Sequence, residues 1–147
     1  MTATPDIVLL VEDDPNDVLL MQRAFRRAKV TNPVQVVEDG EDAVLYLSGQ
    51  APYADRVRYP LPALVLLDLK LPRKSGLEVL EWLRQQAGLK RLPVVILTSS
   101  KESTDISRAY DLGVNSYLVK PVSFDTLLDM VETLNLYWLL LNEKPPV

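Results

Sequence analysis

The chain contains neither cysteine nor histidine. The first absence excludes disulfides and thiolate metal sites. The second excludes imidazole-based catalytic dyads and triads, His-ligated zinc and a phosphohistidine on this chain. Positive charge is also short: 16 Lys and Arg stand against 20 Asp and Glu, for a net charge of -4. An acidic chain with no basic stripe argues against direct nucleic-acid binding. No apolar run approaches the roughly 20 residues that span a bilayer, so no membrane association is expected. Met1 to Asp6 has no basic-then-apolar leader pattern. A cytoplasmic location is expected.

What is present is a core. The 147 residues are 48% hydrophobic, enough for one domain of ordinary size. Four short apolar runs end in polar groups. Ile7 to Val11 leads into Glu12, Asp13 and Asp14, and Leu64 to Leu67 into Asp68. Val94 to Leu97 leads into Thr98, and Tyr117 to Val119 into Lys120. Runs of this kind, separated by helix-like segments, read as buried parallel strands. Ligands of an open parallel sheet bind outside the carboxyl ends of its strands. Carboxylates, a hydroxyl and an ammonium should therefore meet at one edge, a mixture that suits a divalent cation and a phosphoryl group.

Between the runs lie helix signals. Asp14 then Pro15 reads as an N-cap followed by proline at the first helical position. Val18, Met21, Phe25 and Ala28 form one apolar stripe. Val34 to Val37 is a second strand, and a helix begins at Asp42 to Leu47 and ends near Ser48-Gly49. Gln50 to Pro62, with three prolines and two tyrosines, is a long loop, either functional or mobile. Ser75 with Glu78, and Ser99 with Glu102, read as capping boxes. Leu77, Leu80 and Leu83 bury one side of the third helix. A helix stops at Leu112-Gly113. Ser123 caps a last helix running to about Asn142, and Pro145-Pro146 is a frayed end. Strand alternating with helix five times predicts an α/β fold: a flavodoxin-like, doubly wound, five-stranded parallel sheet in the order 2-1-3-4-5 with five helices.

Four segments together carry a resemblance: Leu-Leu-Val-Glu-Asp-Asp-Pro (9–15), Leu-Leu-Asp-Leu-Lys-Leu-Pro (66–72), Ile-Leu-Thr-Ser (96–99) and Tyr-Leu-Val-Lys-Pro (117–121). In this order and at these strand ends they resemble the receiver domain of two-component response regulators, over about Ile7 to Val131. The expected organisation is one receiver domain over 1–147, with an extended C-terminal helix and tail over about 132–147. The long loop before the third strand and the aromatic C-terminal tail are most similar to single-domain regulators paired with bacterial phytochrome histidine kinases.

The resemblance implies roles residue by residue. Asp68 would be the phosphoacceptor, because a carboxylate can attack a phosphoryl group and form an acyl phosphate. Asp13 and Asp68, with the backbone carbonyl of Lys70, would hold Mg²⁺, and Glu12 would act mainly through water. Asp14 is left as the helix cap. Thr98 would donate its hydroxyl to a phosphoryl oxygen, joined by the backbone N–H of Ser99, and Lys120 would pair with Asp68 or the phosphoryl group. The family usually has the bond corresponding to Lys120–Pro121 in cis. Tyr117 would turn inward on phosphorylation, as the second switch residue after Thr98. Lys70 and Ser100 should flank the mouth and affect acyl-phosphate lifetime. The donor would be the phosphohistidine of a sensor histidine kinase, of phytochrome type by the narrower resemblance.

Too little chain follows the fifth strand for a DNA-binding output domain, so output should run through protein contacts. Leu127, Val131, Leu134, Trp138 and Leu141 form one stripe on the last helix. Leu136, Tyr137, Leu139 and Leu140 leave that helix apolar on several sides. A homodimer through the last helix, with the neighbouring strand, is expected. Each residue also has a plainer reading: a strand-end aspartate capping a turn, a solvated acidic run, a half-buried tyrosine, a tail folded onto its own domain. A phosphorylation-independent interaction module with a relic site is the alternative function, and the full set Asp13, Asp68, Thr98 and Lys120 argues against it. A phosphatase of the haloacid dehalogenase type would need a second aspartate where Lys70 stands. A flavin site would need a Ser/Thr/Gly-rich loop after the first strand. The chain is not expected to be an enzyme.

Overall fold

The computed structural model describes residues 6–145. Five strands form one parallel sheet: β1 (Val8–Val11), β2 (Val34–Val37), β3 (Leu64–Leu67), β4 (Val94–Thr98) and β5 (Ser116–Val119). Their order is β2-β1-β3-β4-β5, as expected. The helices are α1 (Pro15–Arg27), α2 (Gly40–Ser48), α3 (Gly76–Gln85), α4 (Ser103–Asp111) and α5 (Phe124–Leu134). A π-helical turn, Asn135–Leu141, continues α5. Among the described residues, no helix is long and apolar enough to cross a membrane.

The strands are continuously apolar because both faces of the sheet are covered. Leu9, Val11, Val65, Leu67, Val94 and Ile96 face the layer that holds Tyr46 and Leu47 of α2, Val79, Leu80 and Leu83 of α3, and Ala109 of α4. Val8, Leu10, Leu64, Leu66, Val95 and Leu97 face Met21, Ala24 and Phe25 of α1 and Leu127, Val131 and Leu134 of α5. Alternation along each strand thus divides one apolar run between two cores.

Local signals set most element ends. Asp14 caps α1 by accepting from the Asn16 N–H at 2.9 Å, with Pro15 at the first helical position. Ser75 caps α3, and Ser123 caps α5. Three expectations are corrected. First, α2 starts at Gly40, two residues before Asp42, because the Asp39 side chain accepts from the Asp42 N–H at 2.7 Å and serves as the cap. Second, Ser99 and Glu102 form no capping box. Glu102 sits in the cap position without a side-chain bond. Its N–H donates instead to the Ser100 hydroxyl at 3.3 Å, and that hydroxyl donates to Asp105 at 2.6 Å. Third, Lys120–Pro121 is trans, the form X–Pro bonds prefer by about 0.5–1 kcal/mol. Among the described residues the cis bond is Ala51–Pro52.

The long loop is tied to α2 by ring contacts and hydrogen bonds. The rings of Tyr46, Tyr53 and Tyr59 cluster with centroids 5.0 to 6.0 Å apart. The Arg56 guanidinium donates to the Tyr46 and Leu47 carbonyls at 2.8 Å each, closing the end of α2 where Gly49 turns left-handed. The Tyr46 hydroxyl donates to the Pro60 carbonyl at 2.9 Å.

The last helix corrects the interface expectation. Leu127, Val131 and Leu134 are buried in the domain's own core and Trp138 packs against it, so those four mainly serve this domain. Of the five named residues only Leu141 is exposed. The apolar surface is one turn face away, at Leu136, Tyr137, Leu140 and Leu141. Beyond it, Lys144 forms an ion pair with Asp6 near the start of β1. Pro145 lines a shallow pocket with Asp6, Leu61 and Leu92, and Pro146 is outside the described residues.

One glycine couples the fold to the sheet edge. A Cβ on Gly76 would stand 2.1 Å from the Asp68 carbonyl oxygen and 2.8 Å from the Leu69 Cα. Both are backbone atoms that cannot swing aside. Gly76→Ala should therefore cost about 3 kcal/mol, the upper range for overpacking, read as a lower urea midpoint at unchanged slope. A variant within 0.5 kcal/mol of the wild type, an order of magnitude typical of free surface positions, would refute this close approach.

Candidate functional site

Register brings the polar strand ends together. Val11 pairs with Leu67, so Glu12 and Asp68 leave the sheet side by side. Thr98 pairs with Val119, which places Lys120 one step beyond the end of β4. The Lys120 N–H donates to the Thr98 carbonyl at 2.8 Å. Its side chain then crosses the end of β4 to reach Asp68 and β1.

The Lys120 ammonium meets three carboxylates, Glu12 at 2.5 Å, Asp17 at 2.7 Å and Asp68 at 2.8 Å. The other Asp68 oxygen accepts from the Leu69 N–H at 2.7 Å. Glu12, Asp68, Thr98 and Ser100 are buried, whereas Asp13 and Ser99 are exposed. Among the described residues, no buried side-chain polar atom lacks a hydrogen-bond partner.

These contacts set the protonation pattern. Burial pushes the Glu12 carboxyl up to about 7, helped by the negative charge of Asp68 and only partly opposed by Lys120. Burial alone would raise Asp68 too. Its hydrogen bond and attraction to Lys120, with the Thr98 and Glu12 hydrogen bonds, outweigh that and hold it below its ordinary value. Burial would lower Lys120, but Asp17, Asp68 and Glu12 together raise it. Asp68 is thus ionised, Glu12 shares its site with a proton near neutrality, and Lys120 stays charged.

Glu12, Asp13 and Asp68 each offer an oxygen within 4.8 Å of the others. The donors are all hard oxygens, the set that suits a cation of the Mg²⁺ and Ca²⁺ class rather than one selected by nitrogen or sulfur. Two of the three are held by Lys120, and the exposed Asp13 opens the group to solvent. The residues present fit such an ion. Lys70 is exposed beside this group, with its N–H 3.4 Å from an Asp68 oxygen.

Residues 8–132 match the response regulator receiver domain family. The chain belongs to that family. As a receiver domain it is 38% identical over 135 residues to the response regulator Rcp1 of Synechocystis, covering 92% of this chain and 90% of the relative. It is 42% identical over 141 residues to a probable methanogenesis regulatory protein, FilR2, of Methanothrix harundinacea, covering 96% and 88%. The phosphorylated cyanobacterial phytochrome response regulator RcpA superposes with a TM-score of 0.88 at 38% identity, over 97% of this chain and 99% of that one. A Mn²⁺-bound form of Rcp1 is among the similar structures, at a TM-score of 0.86 and 38% identity over 96% and 99%.

Sequence reasoning placed Glu12, Asp13, Asp68, Thr98 and Lys120 at one edge of the receiver domain, and the structure brings them there. It missed Asp17, which reads from sequence as an ordinary first-turn acid of α1. The available signal was its place two residues after Pro15, in a helix whose start faces the same edge. It also missed Ser100 as a junction. Besides bonding Asp105, Ser100 receives the Tyr117 hydroxyl on its carbonyl at 3.0 Å. Tyr117 is half-buried, with its hydroxyl held by this bond.

The chain's lack of histidine isolates the Glu12 titration, since no other side chain ordinarily titrates between pH 5 and 8. The ordinary Glu12 value is 4.5 and the folded value about 7. The folded protein therefore keeps a proton that the unfolded chain releases, and stability falls as pH rises through that window. Across it the loss should be on the order of 3 kcal/mol in metal-free buffer. Asp68, held low, gives stability that is lost only as pH falls below its ordinary range. Urea unfolding in chelator should show a lower midpoint at pH 8 than at pH 5.5. Glu12→Gln should flatten the difference, and a difference that persists in that variant would assign the effect elsewhere.

Proposed function

We propose that this receiver domain is a phosphoaspartate switch. The observation that carries the reading is the Asp68 carboxylate, ionised and held by the Lys120 ammonium at 2.8 Å beside a group of three oxygen donors. An Asp68 oxygen attacks the phosphorus of a phosphohistidine on a sensor histidine kinase. The new O–P bond forms as the P–N bond breaks, and the imidazole leaves with its electron pair. Such a transfer needs positioning and charge neutralisation more than covalent assistance. Mg²⁺, held by Glu12, Asp13, Asp68 and the Lys70 carbonyl, would neutralise charge on the phosphoryl oxygens. Lys120 adds a point charge on the other side, and the Thr98 hydroxyl and Ser99 N–H receive the phosphoryl group. Lys70 and Ser100 flank the mouth and set how long the acyl phosphate lasts.

The switch then runs through Thr98, the β4–α4 loop and Tyr117. Ser100 supports this route, because it joins Tyr117 to the first turn of α4. The likeness to RcpA, a phytochrome response regulator, supports a kinase of phytochrome type. Output is through protein contact.

Exposure to a small acyl phosphate with Mg²⁺ should add one phosphoryl mass to the intact protein. Chelator or Asp68→Asn should abolish it, a loss of at least about 100-fold in rate for a missing nucleophile. Labelling that survives Asp68→Asn would overturn the reading, and no labelling of the wild type would favour the phosphorylation-independent interaction module.

The homodimer is retained as a proposal with a different surface. Leu136, Tyr137, Leu140 and Leu141 expose 54 to 66% of their surface, too much for a helix with no partner. Tyr137 also lines a groove with Leu118 of β5, an edge strand of the sheet, and with Met130 and Trp138. Substitution of Leu136, Tyr137, Leu140 and Leu141 should leave the fold intact, because none of them is buried. Light scattering at micromolar concentration should find a dimer for the wild type and a monomer for Leu140→Glu with Leu141→Lys. A monomeric wild type would end the proposal.

A further inference from the structure

Lys120 has three N–H groups and three carboxylate partners, and only two of those partners belong to the metal-fitting group. Glu12 and Asp68 are shared between Lys120 and the oxygen set that includes Asp13. Asp17 is not in that set, and its oxygen lies 2.7 Å from the ammonium. It reaches in from the first turn of α1, anchored by the Asp14 cap and by Pro15. Its side chain is 32% exposed, whereas those of Glu12 and Asp68 are 4% and 9% exposed.

We infer that Asp17 is a positioning residue for Lys120, the counter-charge that keeps the ammonium at the site once a divalent cation draws on Glu12 and Asp68. The inference rests on the phosphoacceptor reading. Two cations beside the same two carboxylates repel each other, and the ammonium is the one on a flexible stem. Without Asp17, Lys120 turns more tightly onto Glu12 and Asp68 and competes with the divalent ion for both. With Asp17 it has an acceptor that the ion does not contest. The carboxylate therefore favours cation binding through Lys120, not by touching the cation.

The test is a double-mutant cycle on Mg²⁺ affinity, measured by calorimetry on the full chain. Asp17→Asn should raise the Mg²⁺ Kd by about 10-fold, the lower end for partners that act through another group. In a Lys120→Gln background the same substitution should change the Kd less than about 2-fold, because coupling vanishes when the linking residue is gone. An equal loss in both backgrounds would make Asp17 a bare surface charge and overturn the inference, as would an unchanged Kd. Asp17→Ser serves as a second variant that keeps a first-turn polar group, and loss of the folded spectrum in both would show a purely structural role and refute the proposal. Acyl-phosphate labelling of the wild type separates the failures. A labelled wild type with an additive cycle sinks only the role of Asp17. A wild type that neither binds Mg²⁺ nor labels sinks the phosphoacceptor reading and this inference with it.

Discussion

Carboxylates that converge on a buried sheet edge repel one another, and each loses water it cannot easily replace. In this protein the ammonium of Lys120 resolves that conflict by bonding Glu12, Asp17 and Asp68 together. The arrangement still leaves its mark. One carboxyl, Glu12, is driven up to about 7, while Asp68 is held low by the same lysine. A site with this imbalance suits a divalent cation, which would drive the proton off Glu12 and compete for two of the three carboxylate partners of Lys120. The rest of the structure serves to hold that lysine across the end of β4 and to bring three helix and strand ends to meet it.

Holding it depends on register more than on any single contact. A one-residue slip between β1 and β3 would turn Glu12 or Asp68 to the opposite face. The slip is resisted because every position of β1 and β3 is committed to one of two packed layers. Gly76 adds a second constraint from below, since α3 begins hard against the Asp68 carbonyl. The Asp68 backbone is thus clamped between a sheet and a helix start, while its side chain answers to Lys120.

Legibility varied with the range of the interaction. The caps at Asp14, Ser75 and Ser123 were legible because they act over two or three residues. The Ser99–Glu102 pair had the same spacing but failed, because Ser100 found a better partner in Asp105 and shifted the helix start. The stripe on the last helix was read correctly as a stripe, but three of its five residues face the domain's own core. Spacing shows that residues share a face, not which body that face meets. The sheet claimed Leu127, Val131 and Leu134, and left the neighbouring face at Leu136, Tyr137, Leu140 and Leu141 in solvent. The long loop showed only its prolines and tyrosines, and its anchoring by Arg56 to the end of α2 needed the fold.

Sequence alone determined the alternation of strand and helix, the strand order and the five polar groups at the strand ends. Those follow from apolar periodicity and from the rule that a parallel sheet presents its carboxyl edge to ligands. Tertiary structure alone decided how those groups share charge. Lys120 lies 52 residues from Asp68, 103 from Asp17 and 108 from Glu12 along the chain. No local pattern reports that one ammonium reaches all three, because the distances among them are set by strand register and by where α1 begins. Asp17 therefore became a member of the site only in three dimensions, where a first-turn acid proved to be the one partner of Lys120 outside the metal-fitting group.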